Sequence, residues 1–241
     1  MLESRAPRPR APVAVLFDVD NTLLDNDRVE RELNRFLEDQ FGADCRDRYF
    51  TIFEGLRGEL GYADYLGALQ RFRVEQRRDP DVLEITFFLI EYPFAERLYP
   101  RALDAVRHTE GFGLPVILSD GDVVFQPWKV KRSGLLDAFQ GRALIYIHKE
   151  AMLDEVERQY PADHYILVDD KVRILSAVKQ VWGPRVTTVF PRQGHYAADH
   201  ETMRRYPAPD VSVDRIADLL RYGSADLIAA ASPRTTTEVP R

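Results

Sequence analysis

One cysteine, Cys45, occurs in 241 residues, so an intrachain disulfide and any multi-cysteine zinc site are excluded, which suits a reducing compartment. Long apolar runs are missing too. The most hydrophobic stretch, ITFFLI at 85–90, is closed on both sides by Glu84 and Glu91 and falls far short of the roughly eighteen residues of a membrane span. Charge of one sign is nowhere gathered into a block: the formal net charge is -6 and the Lys and Arg residues are dispersed. No basic stripe is available to hold a polyphosphate backbone, and nucleic acid is not expected as a partner. The opening residues MLESRAPRPRAP lack the apolar centre of a secretory signal. The expectation is a cytoplasmic protein with unpacked tails over 1–12 and 223–241, the latter ending in the Pro- and Thr-rich run SPRTTTEVPR.

Hydrophobic residues make up 45% of the chain, enough for one sizeable core or for a core domain carrying a smaller insertion. VAVLFDV at 13–19 is a short apolar run rich in β-branched residues and reads as a strand buried on both faces. Similar runs follow as PVILS at 115–119, ALIYIH at 143–148, YILVD at 165–169 and RVTTVF at 185–190. Helical spacing separates them at 100–109, 122–138, 150–159 and 171–182. Strand alternating with helix predicts an α/β fold, a doubly wound parallel sheet, built from 13–26 and 99–222. The segment 27–98 breaks this rhythm. Leu33, Phe36, Leu37 and Phe41, then Tyr62, Tyr65, Leu66 and Leu69, fall at helical intervals punctuated by Gly42, Gly61 and Pro80. These residues predict an inserted all-α domain whose aromatics pack its own core. ITFFLI fits that core, with a dimer contact as the alternative, and the protein is expected as a monomer or homodimer.

In an open parallel sheet, ligands bind beyond the carboxyl ends of the strands. There the chain repeatedly places carboxylates: Asp18 and Asp20 after the first strand, Ser119 and Asp120 after the second, Lys149 after the third, Asp169 and Asp170 after the fourth. Taken singly, each aspartate reads as a helix cap or turn residue, Lys149 as a surface lysine and Ser119 as a turn hydroxyl. Together, converging carboxylates repel in a cleft of low dielectric unless a divalent cation offsets them, and hard oxygen ligands suit Mg²⁺.

The ordered set FDVDNTLL at 17–24, VILSD, Lys149 in IHKE and LVDDK at 167–171 resembles the haloacid dehalogenase-like superfamily over roughly 13–190. The resemblance implies a Rossmann-like core with a helical cap inserted between the first and second motifs. It also implies that Asp18 is a nucleophile forming an aspartyl-phosphate and that Asp20 is the general acid and base. Ser119 would bind a phosphoryl oxygen with a backbone amide near Asp120 or Gly121, and Lys149 would neutralise charge. The Mg²⁺ ligands would be Asp18, the Asp20 carbonyl and a carboxylate from Asp169 or Asp170, with Asp170 favoured by the KVRILSAVK that follows. Thr22 would lock the catalytic loop. Asp20 favours phosphoryl transfer, because dehalogenases of this pattern lack an acid there and a departing halide needs no proton. The expected function is therefore hydrolysis of a small phosphorylated metabolite. The alternatives are a phosphomutase using the same residues and an inactive binding or scaffold protein. Arg28, Arg31, Arg57 and Tyr62 of the insertion, and His195 and Tyr196 after the fifth strand, are weaker candidates for substrate contact.

Overall fold

The computed structural model describes residues 8–76 and 79–231. Six parallel strands form one sheet: β1 Ala11–Phe17, β2 Leu114–Asp120, β3 Ala143–Tyr146, β4 Ala162–Val168, β5 Val186–Pro191 and β6 Val211–Val213, in spatial order β3-β2-β1-β4-β5-β6. Period-two alternation decides which side chain meets which layer. Val13, Val15 and Phe17 of β1 enter one apolar cluster, while Ala14 and Leu16 enter the other. The first cluster is covered by α5 (Ala102–Glu110), α6 (Phe125–Arg132) and α7 (Leu135–Ala138). The second is covered by α8 (Leu153–Gln159) and α9 (Val172–Trp182), where Tyr165 stacks on Trp182 with ring centroids 4.2 Å apart. Strand order reverses between β1 and β4, and that switch point opens a crevice at their carboxyl ends.

The insertion is helical, as its spacing predicts: α1 Asn26–Phe41, α2 Ala43–Leu60, α3 Tyr65–Gln76 and α4 Asp79–Glu91, followed by a 3-10 turn Phe94–Arg97. Asp25 starts α1 by accepting the Arg28 N–H at 2.8 Å. Left-handed glycines separate the helices, Gly42 at φ 88° and Gly61 at φ 79°. Tyr49, Phe53, Tyr65 and Phe72 are buried among one another. ITFFLI is divided along α4: Ile85 and Leu89 are buried, whereas Phe87 and Ile90 are exposed.

The ends of the chain differ from expectation. β1 begins at Ala11, where the Ala11 N–H donates to Pro161 O at 2.8 Å and Arg10 pairs with Asp163 at 2.5 Å, so order begins inside the segment assigned to a tail. Residues 1–7 lie outside the described residues. Residues 224–230 of the assigned C-terminal tail form a helix, α10, because Leu227 is an apolar anchor buried in the first cluster and its carbonyl accepts the Thr187 hydroxyl at 2.8 Å. Residues 232–241 lie outside the described residues. The short β6 was not expected, since three residues carry too little alternation to register. The single helix expected over 122–138 is split by a turn at Ser133 and Gly134, the latter at φ 80°. Among the described residues no helix is long and apolar enough to cross a membrane.

Candidate active site

The backbone of β1 runs one residue further as a ladder, with the Asp18 N–H donating to Val168 O at 2.9 Å, which aims the buried Asp18 carboxylate into the crevice. Lys149 enters from a 3-10 turn beyond β3 and is 1% exposed. Its ammonium contacts Asp18 Oδ1 at 2.5 Å and Asp169 Oδ2 at 2.7 Å and donates to Leu118 O at 3.2 Å. The Lys149 backbone N–H donates to Asp120 Oδ1 at 2.8 Å, which seats the turn on the end of β2. Burial by itself would lower the ammonium's pKa, but the surrounding charges of Asp169, Asp18 and Asp120 push it up, so the lysine stays charged.

Asp18, Asp169 and Asp170 each bring one carboxylate oxygen to within 4.8 Å of the others, and all three residues are buried. Asp169 is occupied by Lys149 and by the Lys171 N–H, which donates to its Oδ1 at 2.8 Å. Both side-chain oxygens of Asp170 are buried with no hydrogen-bond partner among the described residues. Burial pushes the Asp169 carboxyl up to about 6. It drives Asp170 well above the carboxylate range, and the charges of Asp18 and Asp169 add to this. Burial also raises Asp120. Such a cluster is unfavourable when ionised and bare.

Residues 20–24 fold into a tight turn in which the N–H groups of Thr22, Leu23 and Leu24 converge on Val19 O, and Asn21 sits at φ 58°. Thr22 is buried, and its hydroxyl accepts the Asp170 N–H at 3.1 Å, so the loop after β1 is pinned to the loop after β4. The Asp20 side chain is 25% exposed and is held from behind. Lys129 Nζ donates to its two oxygens at 2.8 and 2.9 Å, and Gln126 Nε2 reaches its Oδ2 at 3.3 Å. Gln126 also donates to Ser119 Oγ at 3.0 Å. A Cβ on Gly121 would lie 2.5 Å from Gln126 Cβ, so only glycine lets the turn after β2 close on α6. Of the amides near Asp120 or Gly121, one of which was expected to assist at a phosphoryl oxygen, the Gly121 N–H donates to Tyr146 O at 2.9 Å and extends the sheet. A ladder hydrogen bond takes precedence over an open amide at a strand end.

Asp18, Asp20, Ser119, Asp120, Lys149, Asp169 and Asp170 thus converge, as their strand-end positions require. A cleft of about 50 Å³ above them is lined by Asp20, Asp120 and Asp170 from the core and by Arg57 and Tyr62 from the insertion, with Lys171, His195 and Tyr196. It shares Arg57, Gly61, Lys171 and Tyr196 with a cavity of about 710 Å³. His195 packs its ring on Tyr196, and its Nδ1 lies 2.6 Å from Asp27 Oδ1 while its N–H donates to Asp27 Oδ2 at 2.7 Å. Burial opposes ionisation of Asp27, yet His195 and Asn21 together hold its carboxyl below the usual value. Arg28 and Arg31 do not line the cleft: they pair with Glu32 and Asp25 on the exposed side of α1.

Sequence reasoning missed Lys129, Gln126 and Asn26. The one local signal is that QPWK on α6 sets Gln126 and Lys129 three residues apart, hence on one helix face. Nothing in the sequence says that this face is buried.

A family model described as haloacid dehalogenase-like hydrolase matches residues 13–181. The solved structure of a haloacid dehalogenase-like hydrolase from Burkholderia xenovorans LB400 is 59% identical, covers 90% of this chain and 100% of its own, and superposes with a TM-score of 0.86. The L-2-haloacid dehalogenase from Xanthobacter autotrophicus is 18% identical, with 86% and 96% coverage and a TM-score of 0.57. A HAD hydrolase from Bacillus subtilis, bound to magnesium, is 18% identical, with 88% and 98% coverage and a TM-score of 0.59. These two share the fold alone. No curated protein sequence gives a match. The family model covers most of the chain and spans the four strand ends that build the site, so the chain belongs to the haloacid dehalogenase-like hydrolase family.

Proposed function

We propose that the chain is a magnesium-dependent phosphatase of the cytosol, hydrolysing a small phosphate ester through an aspartyl-phosphate on Asp18. The observation that carries this reading is the Asp170 carboxylate, whose two buried oxygens, beside Asp18 and Asp169, have no hydrogen-bond partner among the described residues. Orphaned carboxylate oxygens of this kind fit a hard divalent cation. Asp18, Asp170 and the backbone carbonyl of Asp20 would hold it, while Asp169 keeps Lys149 in place. When bound, Mg²⁺ supplies positive charge against the phosphoryl oxygens.

The chain's own groups divide the remaining work. Asp18 attacks phosphorus as the ester bond breaks, and Lys149 neutralises charge between nucleophile and phosphoryl group. Asp20 gives the leaving oxygen its proton and then takes one from the water that hydrolyses the aspartyl-phosphate, which restores both groups. Ser119, placed by Gln126, offers its hydroxyl to a phosphoryl oxygen. The 710 Å³ cavity would receive the organic portion of the ester.

Structural neighbours include an L-2-haloacid dehalogenase, which makes dehalogenation the second reading. Against it stands Asp20, since a halide leaves without a proton. The experiment is release of phosphate from a panel of small phosphate esters and of halide from L-2-chloropropionate, with and without Mg²⁺, comparing the native chain with Asp18→Asn. Metal-dependent phosphate release, lost in the variant, is expected. Halide release without phosphate release would overturn the proposal.

A further inference from the structure

We propose that Lys129 is the positioning residue for proton transfer: it holds the Asp20 carboxylate by both oxygens and ties it to the first helix of the insertion. This inference rests on the phosphatase reading above.

Lys129 is 1% exposed, on the inner face of α6. A buried ammonium needs matched acceptors, and it finds three: the two oxygens of Asp20 at 2.8 and 2.9 Å and Asn26 Oδ1 at 3.0 Å. The rings of Tyr65 and Phe125, each with its centroid 5.7 Å from Nζ, complete the enclosure. Among the described residues, Asp20 is the one carboxylate within hydrogen-bond reach of the Lys129 ammonium.

The arrangement repeats, two residues along the loop, what Lys149 does for Asp18. Each of the two working aspartates is backed by its own buried lysine. The partners differ, however. Lys149 is anchored within the core by Leu118 and Asp169. Lys129 is anchored to the insertion through Asn26, the first residue of α1, whose Nδ2 donates to Glu30 Oε1 at 3.1 Å and to the Tyr65 hydroxyl at 3.2 Å. Glu30 in turn accepts from Arg57 at 2.5 Å, and Arg57 stands where the cleft meets the large cavity. Asp20 is therefore located jointly by core and insertion.

The chemical consequence is specific. When the ester P–O bond breaks and the Asp18–P bond forms, the Asp20 proton goes to the leaving oxygen, and the carboxylate left behind faces an ammonium already in place. When water attacks the aspartyl-phosphate, its proton goes to that same carboxylate, which Lys129 keeps directed into the cleft. Lys129 retains its three protons throughout. Its loss should therefore be felt in proportion to how much the leaving oxygen needs a proton.

The test compares phenyl phosphate with 2,4-dinitrophenyl phosphate, whose leaving group departs as a stable anion, in single turnovers of the native chain, Lys129→Met, Lys129→Arg, Asp20→Asn and Asp18→Asn. Methionine matches the stem in length and suits the aromatic surroundings. The expected result for K129M is a loss of about 100-fold in phenol release with less than about threefold loss for dinitrophenol, the size general acid catalysis carries. KM should be little changed, D20N should show the same selectivity, and K129R should recover part of the loss. Equal slowing of both esters in folded K129M, or no slowing of either, would overturn the proposal while leaving the phosphatase reading intact. If the native chain releases neither phenol in a manner that depends on Asp18, the phosphatase reading and this inference fall together. Should K129M not fold, Asn26→Ala removes the anchor and keeps the pair. It must then show the same selective slowing, and equal slowing would be equally fatal.

Discussion

Replacing Asp170 by Asn should stabilise the metal-free protein while abolishing its response to magnesium. Both Asp170 oxygens are buried without a hydrogen-bond partner among the described residues, and Asp18 and Asp169 stand beside them. A buried charge without compensation costs on the order of 3 kcal/mol. Part of that cost appears as the upward displacement of the Asp170 carboxyl, driven first by burial and then by the two neighbouring charges. The amide of Asn has nearly the same shape and no charge. Asp170→Asn should therefore return on the order of 3 kcal/mol at pH 7 in chelator, or a rise in Tm of about 6–12 °C for a chain of this length. Magnesium should act oppositely on the two proteins. At a hundredfold excess over its dissociation constant it should add about 2.7 kcal/mol to the native chain and almost nothing to the variant. Thermal unfolding in chelator and in magnesium, on both proteins, gives the four numbers required. If the variant is less stable than the native chain in chelator, Asp170 is held by the fold itself and the argument for a cation at this place fails.

Thr22→Val should leave the buried Asp170 N–H without its acceptor, costing about 1–3 kcal/mol by denaturant titration, and should lower kcat as the first and fourth loops separate. Gly121→Ala would bring a Cβ to 2.5 Å from Gln126 Cβ, so α6 must shift. A loss of about 1–3 kcal/mol and slower turnover should follow, measured by unfolding and by phosphate release. Glu32 supplies a pH test at the end of the insertion. Burial would raise its carboxyl, but Arg28, Tyr92 and Arg97 outweigh that and hold it at about 2, below the ordinary 4.5. A depressed value means that the stabilisation is complete above 4.5 and is lost as pH falls towards 2. Glu32→Gln should lower Tm at pH 7, and the difference from the native chain should close across that window.

The working ends of the strands were legible because the signals are local. A buried parallel strand is a short run of apolar and β-branched residues, and whatever follows it stands at the crevice, so Asp18, Asp20, Ser119, Lys149, Asp169 and Asp170 could be placed by counting. The helical insertion was legible for the same reason: spacing of 3.6 over many residues is a strong periodic signal. β6 was not, because three residues hold barely one period. Nor was α10, where one buried leucine in a short alanine-rich segment decides that it packs.

What sequence by itself determined is thus the alternation of layers, the family motifs in order, and the convergence of carboxylates at the strand ends. Only the tertiary structure decided which groups meet from distant positions: Lys129 with Asp20, His195 with Asp27, and the Gly121 amide with Tyr146. The physical reason is that periodicity encodes which face of an element is apolar, whereas the partner of a buried charge is settled by how whole elements pack. A lysine on a helix looks the same in sequence whether it faces water or an aspartate.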